Sequence, residues 1–279
     1  MIIGDMQRKC EAGMRKVRAA IAEHGGTTLL ATGIAGDDAR FALAATQAGA
    51  KLLEPNHPAV ALARGHKGVT SMHAAEEVRH EIGMEEMIKV TAGVRAVVGP
   101  EIFITVGVPG SFTEIMPTPF TEEHAYALSR AGADGIHTHK STYQDLKDVV
   151  DLCHKYGMLV DAYIAHPSDR HLFGIPAETP EDVAETAKRM VEIGVDMIGL
   201  MTGMSYEGVA AGEIAPLVRA RLEAMLKAVS VPTLAEGGIN AKNYKAFIGT
   251  GVNILVVGTA FDDIARNAVR DTVKAFLRR

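Results

Sequence analysis

The chain has 279 residues, 47% of them apolar and 23% charged, with a net charge of −5. That length buries a large core, and closed α/β barrels of about 250 residues count as one domain. The mild acidity, with no basic block, excludes a chain that tracks a phosphate backbone, so no nucleic-acid partner is expected. No apolar run reaches the ~18 residues of a membrane span, so no membrane partner is expected either. The opening MIIGDMQRK has no apolar signal core, which points to a cytoplasmic location. Cys10 and Cys153 are too few for a disulfide framework and read as two buried thiols in a reducing compartment.

In chain order, residues 1–26 predict a leading helix across a barrel floor, and residues 27–279 the barrel itself. Short runs rich in Val, Ile and Leu then alternate with longer amphipathic stretches, the pattern of buried parallel strands and covering helices. Strands are predicted at 27–34, 50–55, 101–108, 133–139, 158–166, 195–202, 231–236 and 253–259. Helices are predicted at 37–49, 72–98 (with a break at Gly83), 121–132, 142–157, 179–194, 212–230, 241–251 and 262–279. Thr121 with Glu123 and His124 makes a loose capping box, and several helices end in Gly, which permits a left-handed cap. The stretch MHAAEEVRHEIGMEEMIK is dense in His and Met but has the spacing of a surface helix. Eight strands and eight helices in strict alternation predict one α/β (β/α)8 TIM barrel with an extra N-terminal helix. A doubly wound sheet is disfavoured because no GxGxxG follows the first strand. The long loops, NHPAVALARGHKGVTS, PGSFTEIMPTPF, PSDRHLFGIPAE and GMSYEGVAAGE, all follow strands, on the face where such barrels work.

The seventh strand ends AEGGIN and the eighth VVGTAF. Loops after these two strands hold a phosphate in many barrels, because glycine lets backbone N–H groups approach an anion and the next helix adds its positive end. Gly237, Gly238, Gly258 and Thr259 are the phosphate candidates; the alternative is that the glycines only make tight turns. Glu236 falls just inside the mouth.

The segment VPTLAEGGINAKNYKAFIGTGVNILVVGTAF resembles the last two βα units of the ribulose-phosphate-binding barrels. This superfamily includes indole-3-glycerol-phosphate synthase, the histidine-pathway isomerase and N-acetylmannosamine-6-phosphate 2-epimerase. The AEG start and VVG end are most similar to the epimerase. The resemblance covers roughly fifty residues and implies the phosphate cradle, with Glu236 at the place of a catalytic carboxylate. The third strand ends TVGVPG, without the Lys that the epimerase family carries there, so the epimerase reaction itself is not implied.

Other polar residues gather at the strand ends: Glu54, Asn56 and His57 after the second strand; His137, His139 and Lys140 on the fourth; Asp161, Tyr163 and His166 on the fifth. Charged groups inside a barrel are costly unless paired, so the concentration asks for a role. Glu54 and His166 are read as substrate-binding. His137 and His139, two apart, share one strand face and with Glu54 or His166 could bind a divalent metal, or could instead hydrogen-bond to substrate hydroxyls. Lys140 could form a Schiff base, neutralise a carboxylate, or point outward. Arg64, His66, Lys67, Arg170 and His171 sit on loops that could close as a lid or could be solvated charge.

These residues predict an enzyme acting on a small phosphorylated, sugar-like substrate by proton transfer next to a carbonyl, as an isomerase, epimerase or aldolase-type lyase. Glu236 and Asp161 are the base and acid candidates, with Lys140, His137 or His139 as electrophile. No cofactor is predicted, a divalent metal on His137 and His139 being the alternative, and a homo-oligomer is expected. The competing readings are a metal-dependent hydrolase using His137 and His139, and a non-catalytic sugar-phosphate sensor.

Overall fold

The computed structural model describes residues 3–63, 65, 66, 69, 72–108, 120–169, 172–202 and 213–278. The predicted alternation closes into a barrel. Its strands are β1 (Thr28–Ala31), β2 (Leu52–Leu53), β3 (Phe103–Gly107), β4 (Gly135–Thr138), β5 (Leu159–Ala165), β7 (Met197–Met201), β8 (Thr233–Glu236) and β9 (Ile254–Val257). Every pairing is parallel, and β4 against β5 completes the ring through the order β4-β3-β2-β1-β9-β8-β7-β5. A two-residue strand not foreseen from sequence, β6 (Ile175–Pro176), adds to the upper end of β5. The chain is thus a (β/α)8 TIM barrel.

Two apolar layers hold it. One lies inside the barrel: Leu30, Leu52, Phe103, Leu159, Met197, Leu234 and Ile254 pack together, joined from below by Val17 and Ala20 of α1 (Ile3–Glu23). Gly13 of α1 lies against Leu159 and Phe103, so the leading helix plugs the floor at close range. The other layer fills the space between strands and covering helices, with Ile104, Val106, Ile136, Val160, Ile164, Ile198 and Leu200 on the outward faces of the strands. The split follows from the side-chain period of two.

The helices differ from the sequence pattern where capping chemistry intervenes. The strand predicted at 27–34 stops early, because Gly33 turns at φ 63° into the one-turn α2 (Ile34–Asp37). Asp38 then caps α3 (Ala39–Gln47) by accepting the Arg40 and Phe41 N–H groups, dividing the helix predicted at 37–49. The long second loop contains α4 (His57–Ala63), whose first five residues, His57 to Ala61, are buried. The predicted break at Gly83 separates α5 (Met72–Val78) and a 3-10 turn from α6 (Met84–Val98). At α7 (Glu122–Ala131) the capping box is complete with histidine in the usual Glu place: Thr121 Oγ1 accepts the His124 N–H, and His124 Nδ1 accepts the Thr121 N–H. The ring follows with α8 (Tyr143–Lys155), α9 (Pro180–Glu192), α10 (Pro216–Ala228), a short α11 (Tyr244–Ile248) and α12 (Thr259–Leu277). Among the described residues no helix is long and apolar enough to cross a membrane.

Candidate active site

The inward series of the strands changes character toward the C-terminal end. Below, it is Leu and Phe; above, it becomes Glu54, Thr105, Gly107, His137, Asp161, Tyr163, Gly199 and Glu236. The small members make room. At Gly199 a β-carbon would collide with the Tyr163 ring, and at Gly107 it would press on Asn56 and stand 3.3 Å from Glu54 Oε1. The cavity so formed is lined by Thr32, Glu54, Asn56, His57, Gly107, His137, His139, Phe173, Met201, Glu236, Gly237, Gly238, Gly258 and Thr259, among others.

One wall is a buried titratable cluster. His137 and His139 do share a face of β4 and its extension, and their Nε2 atoms lie 3.0 Å apart. Behind them the register sets His137 opposite Asp161 on β5. Asp161 Oδ1 is 2.7 Å from His137 Nδ1, and Oδ2 accepts the Thr105 hydroxyl at 2.6 Å. A carboxylate in that place pairs with the Nδ1 side of the ring, fixes its orientation and turns the Nε2 edge toward the cavity. Across the barrel, Glu236 Oε2 on β8 is 3.7 Å from His137 Nε2 and 3.9 Å from His139 Nε2, while Glu54 Oε1 is 3.8 Å from His137 Nε2. Glu54 Oε2, Glu236 Oε2 and the Tyr163 hydroxyl are buried without a hydrogen-bond partner of normal geometry.

Each environment moves a proton affinity. Burial, with the nearby Glu236 and Asp161 charges, raises the Glu54 carboxyl to about 8, against the opposing pull of His137. Burial alone would lower His137, but the charges of Glu54, Asp161 and Glu236 outweigh it and hold the imidazole at about 10. Burial would likewise raise Glu236; the two histidines and the Tyr163 hydroxyl overcome it and keep the carboxyl below its ordinary value. Tyr163 is pushed well above the usual phenol range, first by burial and then by the three carboxylates. The rings of Tyr163 and His137 lie 4.8 Å apart, as do those of Tyr163 and His139.

The opposite wall is the glycine loop. Gly237 and Gly238 both take positive φ, 108° and 70°, which only glycine adopts readily. Thr202 fixes the loop from behind: its N–H and hydroxyl both donate to the Glu236 carbonyl, and the hydroxyl also reaches the Gly237 carbonyl at 2.8 Å. The side-chain amides of Asn240 and Asn243 both donate to the Gly238 carbonyl. Among the described residues no protein acceptor takes the N–H groups of Gly238, Gly258 or Thr259. Thr259 opens α12, so its N–H is one of the unpaired donors at a helix N-terminus. A β-carbon on Gly258 would stand 2.8 Å from Thr32 Cγ2.

Of the residues singled out from sequence, the structure brings Glu54, His137, His139, Glu236, Gly237, Gly238, Gly258 and Thr259 around one cavity. Asp161 is corrected in role. It is fully buried behind His137 and positions that ring instead of facing the cavity. His166 is not in the cavity lining; its Nδ1 accepts from the Ser168 N–H and contacts the Ser168 hydroxyl, closing a turn after β5. Lys140 follows His139 on the strand extension, half-buried and likewise outside the lining. His66 faces Glu81 at 3.3 Å. Arg64, Lys67, Arg170 and His171 lie outside the described residues. Sequence reasoning passed over Thr105, Phe173, Gly107, Gly199 and Thr202. Only Thr202, a hydroxyl ending the apolar run MIGLM, carried a local signal.

Fold and site together define a (β/α)8 barrel with its cavity at the C-terminal end. No family model matches the chain. Tryptophan 2-C-methyltransferase of Streptomyces laurentii is 34% identical over 119 residues, a match that covers 34% of this chain and 18% of that protein. Three solved structures share the architecture. A 2,3-dimethylmalate lyase of the PEP mutase/isocitrate lyase superfamily superposes with TM-score 0.63 at 14% identity, covering 96% of this chain and 87% of its own. A mutant tryptophan synthase alpha-subunit from Pyrococcus furiosus gives 0.62 at 15% identity, covering 87% and 91%. The 3-dehydroquinate dehydratase of Geobacillus kaustophilus gives 0.57 at 13% identity, covering 90% and 93%. At these identities the likeness is one of fold.

Proposed function

We propose that this chain is an enzyme that binds a small phosphorylated, sugar-like molecule and moves a proton next to its carbonyl. The observation that carries the reading is the division of one cavity. Backbone N–H groups of Gly238, Gly258 and Thr259, taken by no acceptor among the described residues, stand on one wall, and the two imidazoles on the other, with the carboxylates of Glu54 and Glu236 at 3.8 and 3.7 Å from His137 Nε2. The phosphate binds the first wall. The carbon chain then crosses to the second, where a carboxylate takes the proton from the carbon beside the carbonyl. The electron pair moves onto the carbonyl oxygen, and the imidazole edge steadies the resulting enediolate. Return of the proton to the neighbouring carbon, with transfer of the hydroxyl proton between the two oxygens, isomerises; return to the opposite face epimerises. In retro-aldol cleavage the carboxylate instead takes a hydroxyl proton, the C–C bond breaks to release an aldehyde, and the electron pair left behind forms the enediolate. A sensor of sugar phosphate has use for the first wall alone; the buried acids and imidazoles opposite favour catalysis.

The likeness of residues 231–261 to ribulose-phosphate-binding barrels supports the phosphate half. That lyases and a dehydratase occupy the same fold is consistent with the proton-transfer half. The test is to incubate the protein with phosphorylated aldoses and ketoses in deuterated water and follow the C–H signals beside the carbonyl by proton NMR. Loss of one such signal in a phosphorylated sugar, and none in its unphosphorylated counterpart, is the expected result. No exchange across the panel would sink the reading.

A further inference from the structure

We propose that His137 Nε2, His139 Nε2 and Glu236 Oε2 bind a divalent first-row transition ion. The inference deepens the reading above and rests on it for the identity of the substrate oxygen, though not for the ion itself. The three atoms form a triangle with sides of 3.0, 3.7 and 3.9 Å. A point equidistant from them lies about 2.1 Å from each, the length of a Zn–N or Zn–O bond. The spacing of the three atoms therefore already matches that of ligands around one ion, which would replace the proton shared by the two Nε2 atoms. These are also the cluster of His, Cys, Asp and Glu ligand atoms that converge within 4.8 Å among the described residues.

The surroundings match what a metal requires of its neighbours. A ligating imidazole usually gives its other N–H to a carboxylate, which fixes the ring and raises its basicity. Asp161 stands in that relation to His137 at 2.7 Å, and is held in turn by the Thr105 hydroxyl. The ligand set, two imidazoles and one carboxylate, favours zinc, cobalt, iron or manganese over magnesium, which takes oxygen ligands. All three ligands line the cavity, so positions on the cavity side stay open to a substrate oxygen. This divides the labour between the two acids. Glu236 becomes a ligand, and Glu54, whose Oε2 has no hydrogen-bond partner, is the carboxylate left to take the proton.

The test uses the full chain, stripped with chelator, dialysed, and titrated separately with Co²⁺, Zn²⁺, Mn²⁺ and Mg²⁺. One Co²⁺ per chain is expected, with visible absorption bands of a nitrogen- and oxygen-ligated ion, and with Zn²⁺ displacing it and Mg²⁺ failing to. His139→Ala and Glu236→Gln should each weaken Co²⁺ at least 10²-fold, Asp161→Asn 10–100-fold, and Glu54→Gln less than threefold. Paramagnetic broadening of the His137 and His139 ring signals in the unmutated chain gives the same answer without relying on variants that fold. Absence of stoichiometric binding in the unmutated chain, or Co²⁺ affinity unchanged in both ligand variants, overturns the site. Loss of the ion in Glu54→Gln overturns the division of labour. Phosphate binding measured on the same preparations separates the two proposals: phosphate without the ion removes the metal alone. The ion without isotope exchange in any sugar phosphate, but with hydrolysis of a bound ester or amide, removes the proton-transfer reading and keeps the metal.

Discussion

Replacing Gly199 by alanine should unseat Tyr163. The two residues are register partners on β5 and β7, both facing inward. A methyl group at position 199 would lie 2.7 Å from Tyr163 Cζ and closer still to Cε1 and Cδ1. Those are rigid ring atoms, not the end of a flexible chain. The ring cannot slide away, since Tyr163 is fully buried and its other neighbours are the imidazoles of His137 and His139 at 4.8 Å. Either β7 shifts outward or Tyr163 leaves its rotamer. Overpacking of this kind costs about 1–3 kcal/mol, which for a domain of this size lowers the melting temperature by about 2–10 °C. Circular dichroism melts and urea titrations measure it. A double-mutant cycle assigns it: in a Tyr163→Ala background the added methyl has nothing to strike, and the penalty should largely vanish. Because Tyr163 lies beside Glu236, ring displacement should also alter chemistry at the cavity. A Gly199→Ala variant within about 0.5 kcal/mol of the parent in both backgrounds would refute the packing argument, since that is the range of an ordinary neutral substitution.

Three further outcomes follow from the geometry. Glu236→Gln should reduce turnover of a phosphorylated substrate by about 10²–10⁴-fold beyond any loss of folded protein, since removing a carboxylate paired with two imidazoles also lowers the melting temperature; full activity per folded molecule would remove Glu236 from the chemistry. Gly238→Asp, which sets a carboxylate and a side chain at a φ of 70°, should abolish binding of inorganic phosphate seen by isothermal titration, and unchanged binding would refute the cradle. At the other end of the barrel, His154 Nε2 is 2.8 Å from Asp196 Oδ2, and that hydrogen bond holds the imidazole above its ordinary range. A raised folded value stabilises the protein fully below about pH 6.5, the unfolded histidine value, and the contribution is lost as pH climbs through the folded value. The gap in urea midpoint between the parent and His154→Gln should therefore be widest near pH 6 and narrow by pH 9; a gap that widens with pH would reverse the argument.

The barrel was legible in the sequence because its causes are local. Alternation of apolar runs with amphipathic stretches, and glycines that end helices, set the order of elements whatever their final neighbours. The glycine loop was legible for the same reason: paired glycines at two strand ends state a backbone requirement. That His137 and His139 share a face is also local, a consequence of the period of two. What they face is not. Glu236 follows them by about a hundred residues and reaches them only because the sheet closes, bringing β8 across the mouth from β4. Asp161 looked like a second catalytic acid, since a carboxylate on an inward position reads the same whether it opens on the cavity or backs a histidine. The β4–β5 register decided that it lies behind His137. Lys140 and His166 read as mouth residues by sequence position, yet the cavity lining excludes both, one past the end of β4 and the other engaged in a turn. Sequence determines which residues point inward. Only the closed ring, by setting how far each strand rises beside its neighbour, decides which of them meet.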